Sequence, residues 1–171
     1  MRETRANLRS RGLVNKNPLV QAKTLAYRAL ASQAYSRREL EKKLQRHGFQ
    51  EEIVTSVLNE LETHHYLDDR AFALAWAKKT IAQRFVGPSA LQRGLESKGI
   101  DRDIIQEVLE KLYGGAAEEH VALKAMRRRL AQVKAGKSKA FERGMVGYLT
   151  RRGFTSEIIE KVVKRQSESL A

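Results

Sequence analysis

One stretch of this chain is written three times, and that repetition limits what the molecule can fold into more than any other feature. In the first copy the apolar and glycine positions are Leu40, Leu44, Gly48, Phe49, Ile53, Val54, Val57, Leu58 and Leu61. Leu91, Leu95, Gly99, Ile100, Ile104, Ile105, Val108, Leu109 and Leu112 match them in order at an offset of 51, from Gly48 to Gly99. A third copy, with Met145, Leu149, Gly153, Phe154, Ile158, Ile159, Val162 and Val163, follows at a further offset of 54, from Gly99 to Gly153. A helix that ends at Gly48 places glycine at C′, where the backbone turns left-handed and a Cβ is penalised, and sets Phe49 against Leu44. Ile100 with Leu95 and Phe154 with Leu149 repeat the contact. The same residue then precedes the next helix, where it can staple to Val54, Ile105 or Ile159. Each copy is therefore helix, glycine corner, helix. A single pair cannot bury its apolar stripe alone, so the copies must stack or share a neighbouring helix.

Only Pro18 and Pro88 interrupt the chain with proline, and no alternating β-branched run of strand length stands out, which gives an all-α fold. After Asn17-Pro18, Ala22, Leu25, Ala26, Ala29 and Leu30 recur at helical spacing and predict a first helix to about Ser32. Ser36 with Glu39 reads as a capping box. Asp68 is placed to cap the next helix, and Ser89 to cap the one after it. A longer helix begins near Glu118. Gly144 and Gly147 fall inside the last copy, each costing about 1 kcal/mol against alanine, so this unit is expected to be the least stable. Gln166 stands where Leu61 and Leu112 stand in the other copies, as a terminal repeat requires. The predicted division is a basic flexible arm over 1–17, repeat 1 over 18–68, repeat 2 over 69–115 and repeat 3 over 116–171.

The net charge is +13, and its placement matters more than its size. The surplus is +4 over residues 1–19, zero over 20–68, +2 over 69–117 and +7 over 118–171. Between Lys124 and Arg152 ten basic residues face the single Glu142, a positive field suited to phosphates or to an acidic protein groove. Lys124, Arg127, Arg128 and Arg129 lie on the expected exposed side of their helix, and Lys134, Lys137 and Lys139 continue into the connection. Arg37 and Arg38 sit unfavourably for the dipole of the helix they open, which marks them as candidates for contact with a partner.

Chemistry finds little support. The chain has no cysteine, which removes disulfides, zinc thiolates and thiol catalysis. His64, His65, Asp68 and Asp69 invite a metal reading, but an aspartate cap and acidic residues in a first helical turn account for them better, and no matching ligands recur. Trp76 could offer a stacking platform, yet Phe72 one turn earlier on the same face makes it a core residue. No glycine-rich phosphate loop is present around Gly87. No apolar run approaches a membrane span, and the N-terminus lacks the apolar core of a secretion signal, so the expected compartment is the cytoplasm. No metal, cofactor or catalytic residue is assigned.

Several segments together resemble a known family. Leu25-Ala-Tyr-Arg-Ala-Leu, Tyr35-Ser-Arg-Arg-Glu-Leu40-Glu-Lys-Lys-Leu44, Tyr66-Leu-Asp-Asp-Arg-Ala-Phe-Ala73, Lys98-Gly-Ile100-Asp and Arg151-Arg-Gly-Phe154-Thr are similar to RecX, the bacterial regulator of the RecA recombinase. The likeness spans roughly residues 20–165, and the ordered set is far more specific than any one segment. It implies an elongated, curved array of three tandem three-helix repeats. It implies also a monomer that binds the RecA nucleoprotein filament along its groove, blocks extension or promotes disassembly, and performs no chemistry of its own. The basic set, with Arg151 and Arg152 added, is then the expected partner surface. Three positions depart from the family: His65 replaces a glycine, Gly94 an acidic residue, and Gly147 softens the last unit, and together they are expected to weaken their helices locally. The competing reading is a DNA-binding protein acting without RecA through phosphate contacts. Against direct groove reading, the helices from Ile53 to Leu61 and from Ile104 to Leu112 are acidic outside their apolar stripes.

Overall fold

The computed structural model describes residues 17–132 and 139–169, and among these there are nine α-helices and no strand. The expected arm lies, apart from Asn17, outside the described residues. The chain divides into two compact units, Met1–Leu67 and Asp68–Ala171.

The first unit is one helix triplet: α1 (Pro18–Ser32), α2 (Arg37–Arg46) and α3 (Glu51–Thr63). Pro18 opens α1 at its first position, and the Asn17 side chain accepts the Leu19 N–H at 2.9 Å. Ala22, Ala26 and Ala29 form the buried stripe of α1, small enough to bring it close to its neighbours. Both halves of the Ser36–Glu39 capping box are present, and Ser36 is fully buried. Leu40, Leu44, Val54, Val57, Leu58, Leu61 and Leu67 complete the core, with Phe49 packed against it. Gly48 turns the corner at φ +83°. At the end of α3 the left-handed place goes to His65, at φ +57°, with Tyr66 N–H bonded to Leu61 O and His65 N–H to Glu62 O. That is the glycine position of the resemblance, filled by a residue that tolerates it.

The second unit holds two triplets: α4 (Asp69–Arg84), α5 (Pro88–Ser97) and α6 (Arg102–Tyr113), then α7 (Ala117–Leu130), α8 (Lys139–Arg151) and α9 (Ser156–Ser169). Asp68 caps α4 by accepting the Ala71 N–H at 2.9 Å. Gly99 and Gly153 turn at φ +76° and +83°, and each corner closes with the paired bonds expected of such a stop: Ile100 N–H to Leu95 O with Gly99 N–H to Glu96 O, and Phe154 N–H to Leu149 O with Gly153 N–H to Thr150 O. One continuous core runs through both triplets, from Phe72, Leu91 and Leu95 to Met126, Leu149 and Val162. Helix α8 forms despite Gly144 and Gly147, with Met145 and Leu149 buried.

Two expectations need correction. Ser89 does not cap α5: Gly87 is the N-cap, Pro88 the first residue, and no side chain caps the helix. The N–H of Ser89 donates instead to Gly153 O at 3.1 Å, and Gly87 N–H donates to Arg152 O at 2.8 Å. The carbonyl end of α8 thus caps α5, joining the negative end of one helix dipole to the positive end of another. Gly94 is not merely a softened helix position. A Cβ there would lie 2.4 Å from Cη2 of Trp76, so the absent side chain makes room for the indole, which packs against the core as expected.

Candidate functional site: an arginine cleft in the second unit

The joint between the two triplets of the second unit is made by backbone. A Cβ on Gly87 would stand 2.4 Å from Gly153 O, and one on Gly153 would stand 2.3 Å from Ala90 N. Only glycine permits this approach. Tyr113 ties the same joint from α6, donating its hydroxyl proton to Val86 O at 2.6 Å. Burial, with the Glu118 charge adding, pushes its phenol well above the ordinary range. Glu118 is itself buried and accepts the Thr155 N–H at 2.7 Å, where its charge meets the N-terminus of α9.

Beside this joint opens a cleft of about 430 Å³. Arg84, Arg128, Arg151 and Arg152 line it with Tyr148, over Gln83, Val86 and Ala90, and among the described residues no carboxylate joins the lining. Two of these guanidinium groups, those of Arg128 and Arg152, are held in place. Arg128 donates to Gln83 O at 3.0 Å and lies over the Phe85 ring, 5.8 Å from its centroid. Arg152 donates to Arg84 O, and its guanidinium sits 4.9 Å from the Tyr148 centroid, with that of Arg129 at 5.6 Å from the same ring. These contacts use the last carbonyls of α4 and the ring quadrupoles to gather cations that would otherwise repel. Phe85, left-handed at φ +49°, ends α4 and so turns the chain toward Gly87.

Of the residues singled out from the sequence, Arg128, Arg129, Arg151 and Arg152 come together here. Lys124 and Arg127 belong to α7 but do not line the cleft. Lys134 and Lys137 lie outside the described residues, as does the side chain of Lys139. Arg37 and Arg38 belong to the first unit. Arg37 pairs with Glu62 and donates to Asn59 Oδ1 at 3.0 Å, so much of its charge is engaged within the fold. Arg38, beside it at the start of α2, is exposed. Sequence reasoning missed Arg84 and Tyr148. Tyr148 precedes Arg152 by one helical turn, a spacing that could have marked it, whereas Arg84 read only as a basic residue in a last turn.

Among the described residues no group of three or more His, Cys, Asp or Glu side chains is placed to hold a metal ion, and no helix is long and apolar enough to cross a membrane. Asp68 acts as the cap of α4.

Comparison with known proteins gives one consistent result. The model of the first three-helix domain of RecX matches residues 22–61, and that of the second three-helix domain of RecX matches residues 68–109. The regulatory protein RecX of Mycobacterium avium is 35% identical over 147 residues, covering 84% of this chain and 83% of its own. That of Thermobifida fusca is 28% identical over 148 residues, covering 86% and 80%. The crystal structure of RecX from Lactobacillus salivarius aligns with a TM-score of 0.78 at 18% identity, covering 88% of this chain and 97% of that one, a likeness of fold.

Proposed function

Since this chain belongs to the RecX family of regulatory proteins, we propose that it is a modulator of the RecA recombinase rather than an enzyme. It binds the RecA nucleoprotein filament along its groove, as a monomer in the cytoplasm. There it blocks extension or promotes disassembly, and so lowers strand exchange and the coupled ATP hydrolysis. The observation that carries the reading is family membership. The arginine cleft supports it, because a concentrated positive site built on a rigid joint suits a polyanionic partner. The same cleft favours a second reading, a DNA-binding protein that acts without RecA. Sequence-specific groove reading has less support, because α3, α6 and α9 open with acidic first turns at Glu51, Glu52, Asp103 and Glu157.

Co-sedimentation with RecA filaments on single-stranded DNA tests the proposal. Wild-type protein is expected in the pellet, and a variant with Arg127, Arg128 and Arg129 changed to alanine is expected to lose filament binding as well as DNA binding. Loss of DNA binding alone would favour the second reading.

A further inference from the structure

We propose that the cleft between the two triplets of the second unit is a phosphate site for the backbone of a nucleic-acid strand, with Arg84 and Arg151 donating from its two sides. The proposal deepens the reading above, resting on a partner that contains nucleic acid. Arg84 comes from the end of α4 and Arg151 from the end of α8, and both are exposed at the cleft. Arg128 and Arg152 line the same cleft with one donor each already spent on Gln83 O and Arg84 O, which leaves further N–H groups of each fork for an oxyanion.

Three observations choose the ligand. The first is the state of the backbone at the rim. Gln83 O and Arg84 O accept from arginines, and the N–H groups of Gly87 and Ser89 donate to Arg152 O and Gly153 O. An acidic peptide seeking main-chain partners would find these four groups taken, whereas a phosphodiester needs only guanidinium donors. The second is Tyr148, whose ring is occupied by the guanidinium groups of Arg129 and Arg152 and is not offered to a base. Contact should therefore be tolerant of sequence. The third is that no carboxylate among the described residues joins the lining, which leaves the positive field undiminished.

The test uses the full chain with Arg84→Ala and Arg151→Ala combined, neither side chain being used in the contacts that build the joint. Labelled oligothymidylate binding is followed by anisotropy across a salt series, with poly-glutamate as competitor and circular dichroism as a check on folding. The double variant should bind at least about tenfold more weakly. The slope of log K against log salt should shrink by about 0.7 for each phosphate no longer neutralised, and poly-glutamate should compete poorly against the wild type. Unchanged affinity and slope would overturn the site, as would poly-glutamate competing as well as unlabelled oligothymidylate. If the variant keeps its DNA affinity but no longer sediments with RecA filaments, the phosphate site is wrong and the filament reading stands. If the variant loses DNA affinity while wild-type protein ignores filaments, the site stands and the filament reading falls.

Discussion

At Gly48 the chain turns left-handed at φ +83° with nothing within 4 Å of where a Cβ would be, whereas at Gly153 it makes the same turn at φ +83° beneath the backbone of Ala90. The two residues hold equivalent places in copies of one motif. In the first unit the glycine serves its own corner. In the second it serves the corner and also the close approach of α5, whose N-terminus is capped by the carbonyls of Arg152 and Gly153. A local device for stopping a helix has thereby become a joint between triplets, and the arginine cleft lies along that joint. The ion pairs that brace the triplets differ in a parallel way. Lys23 on α1 meets Glu60 on α3 at 2.5 Å, and Arg70 on α4 meets Glu107 on α6. The last triplet reverses the sense, with Glu119 on α7 meeting Lys161 on α9 at 2.6 Å and Arg165 at 3.5 Å.

The comparison can be broken most sharply with alanine at the two corners. Gly48→Ala bears only the left-handed penalty, about 1–2 kcal/mol. Gly153→Ala adds overpacking against backbone that cannot swing aside, for a total of about 3 kcal/mol or more. Denaturant unfolding of the full chain measures both, and equal losses would contradict the assignment of two roles. A smaller effect is expected at Gly94, where the obstacle is the Trp76 side chain rather than backbone. Here the gain in helix propensity offsets part of the crowding, so Gly94→Ala should lose about 1 kcal/mol and alter Trp76 emission. Unchanged emission would mean that the indole does not rest on Gly94.

The smallest effect is on pH. The hydrogen bond from Lys161 lowers the Glu119 carboxyl below its ordinary value of 4.5; burial pulls the other way, and the Lys161 and Arg165 charges add to the lowering. The contribution of this pair is therefore complete above the ordinary carboxylate value and fades as pH falls through the lower, folded value. Glu119 is half-buried, but because both of its partners, Lys161 and Arg165, are exposed, the effect should be slight. Glu119→Gln should flatten that part of the stability profile, and a profile left unchanged would show that the reversed brace contributes nothing.

The local rules were readable in the chain. The Ser36 box, the Asp68 cap and the three corner glycines all depend on neighbours within a few residues, whereas the left-handed place of His65 was marked only by the glycine of the family that the chain resembles. What could not be read depends on distant groups. Ser89 looked like a cap because no local signal announces that Gly153 O will take its N–H. Gly94 looked like a weak helix position because its reason is an indole on another helix. Arg84 and Arg152 are separated by 68 positions, and no periodicity connects them. The basic surplus of the last third was visible as composition, but its gathering around Tyr148 and the end of α4 follows from the joint.

The most direct measurement is ATP hydrolysis by RecA on single-stranded DNA as the purified protein is titrated in. Slowed hydrolysis at substoichiometric ratios, with shortened or arrested filaments, is the predicted result. Hydrolysis and filament length unchanged at equimolar protein would contradict the account.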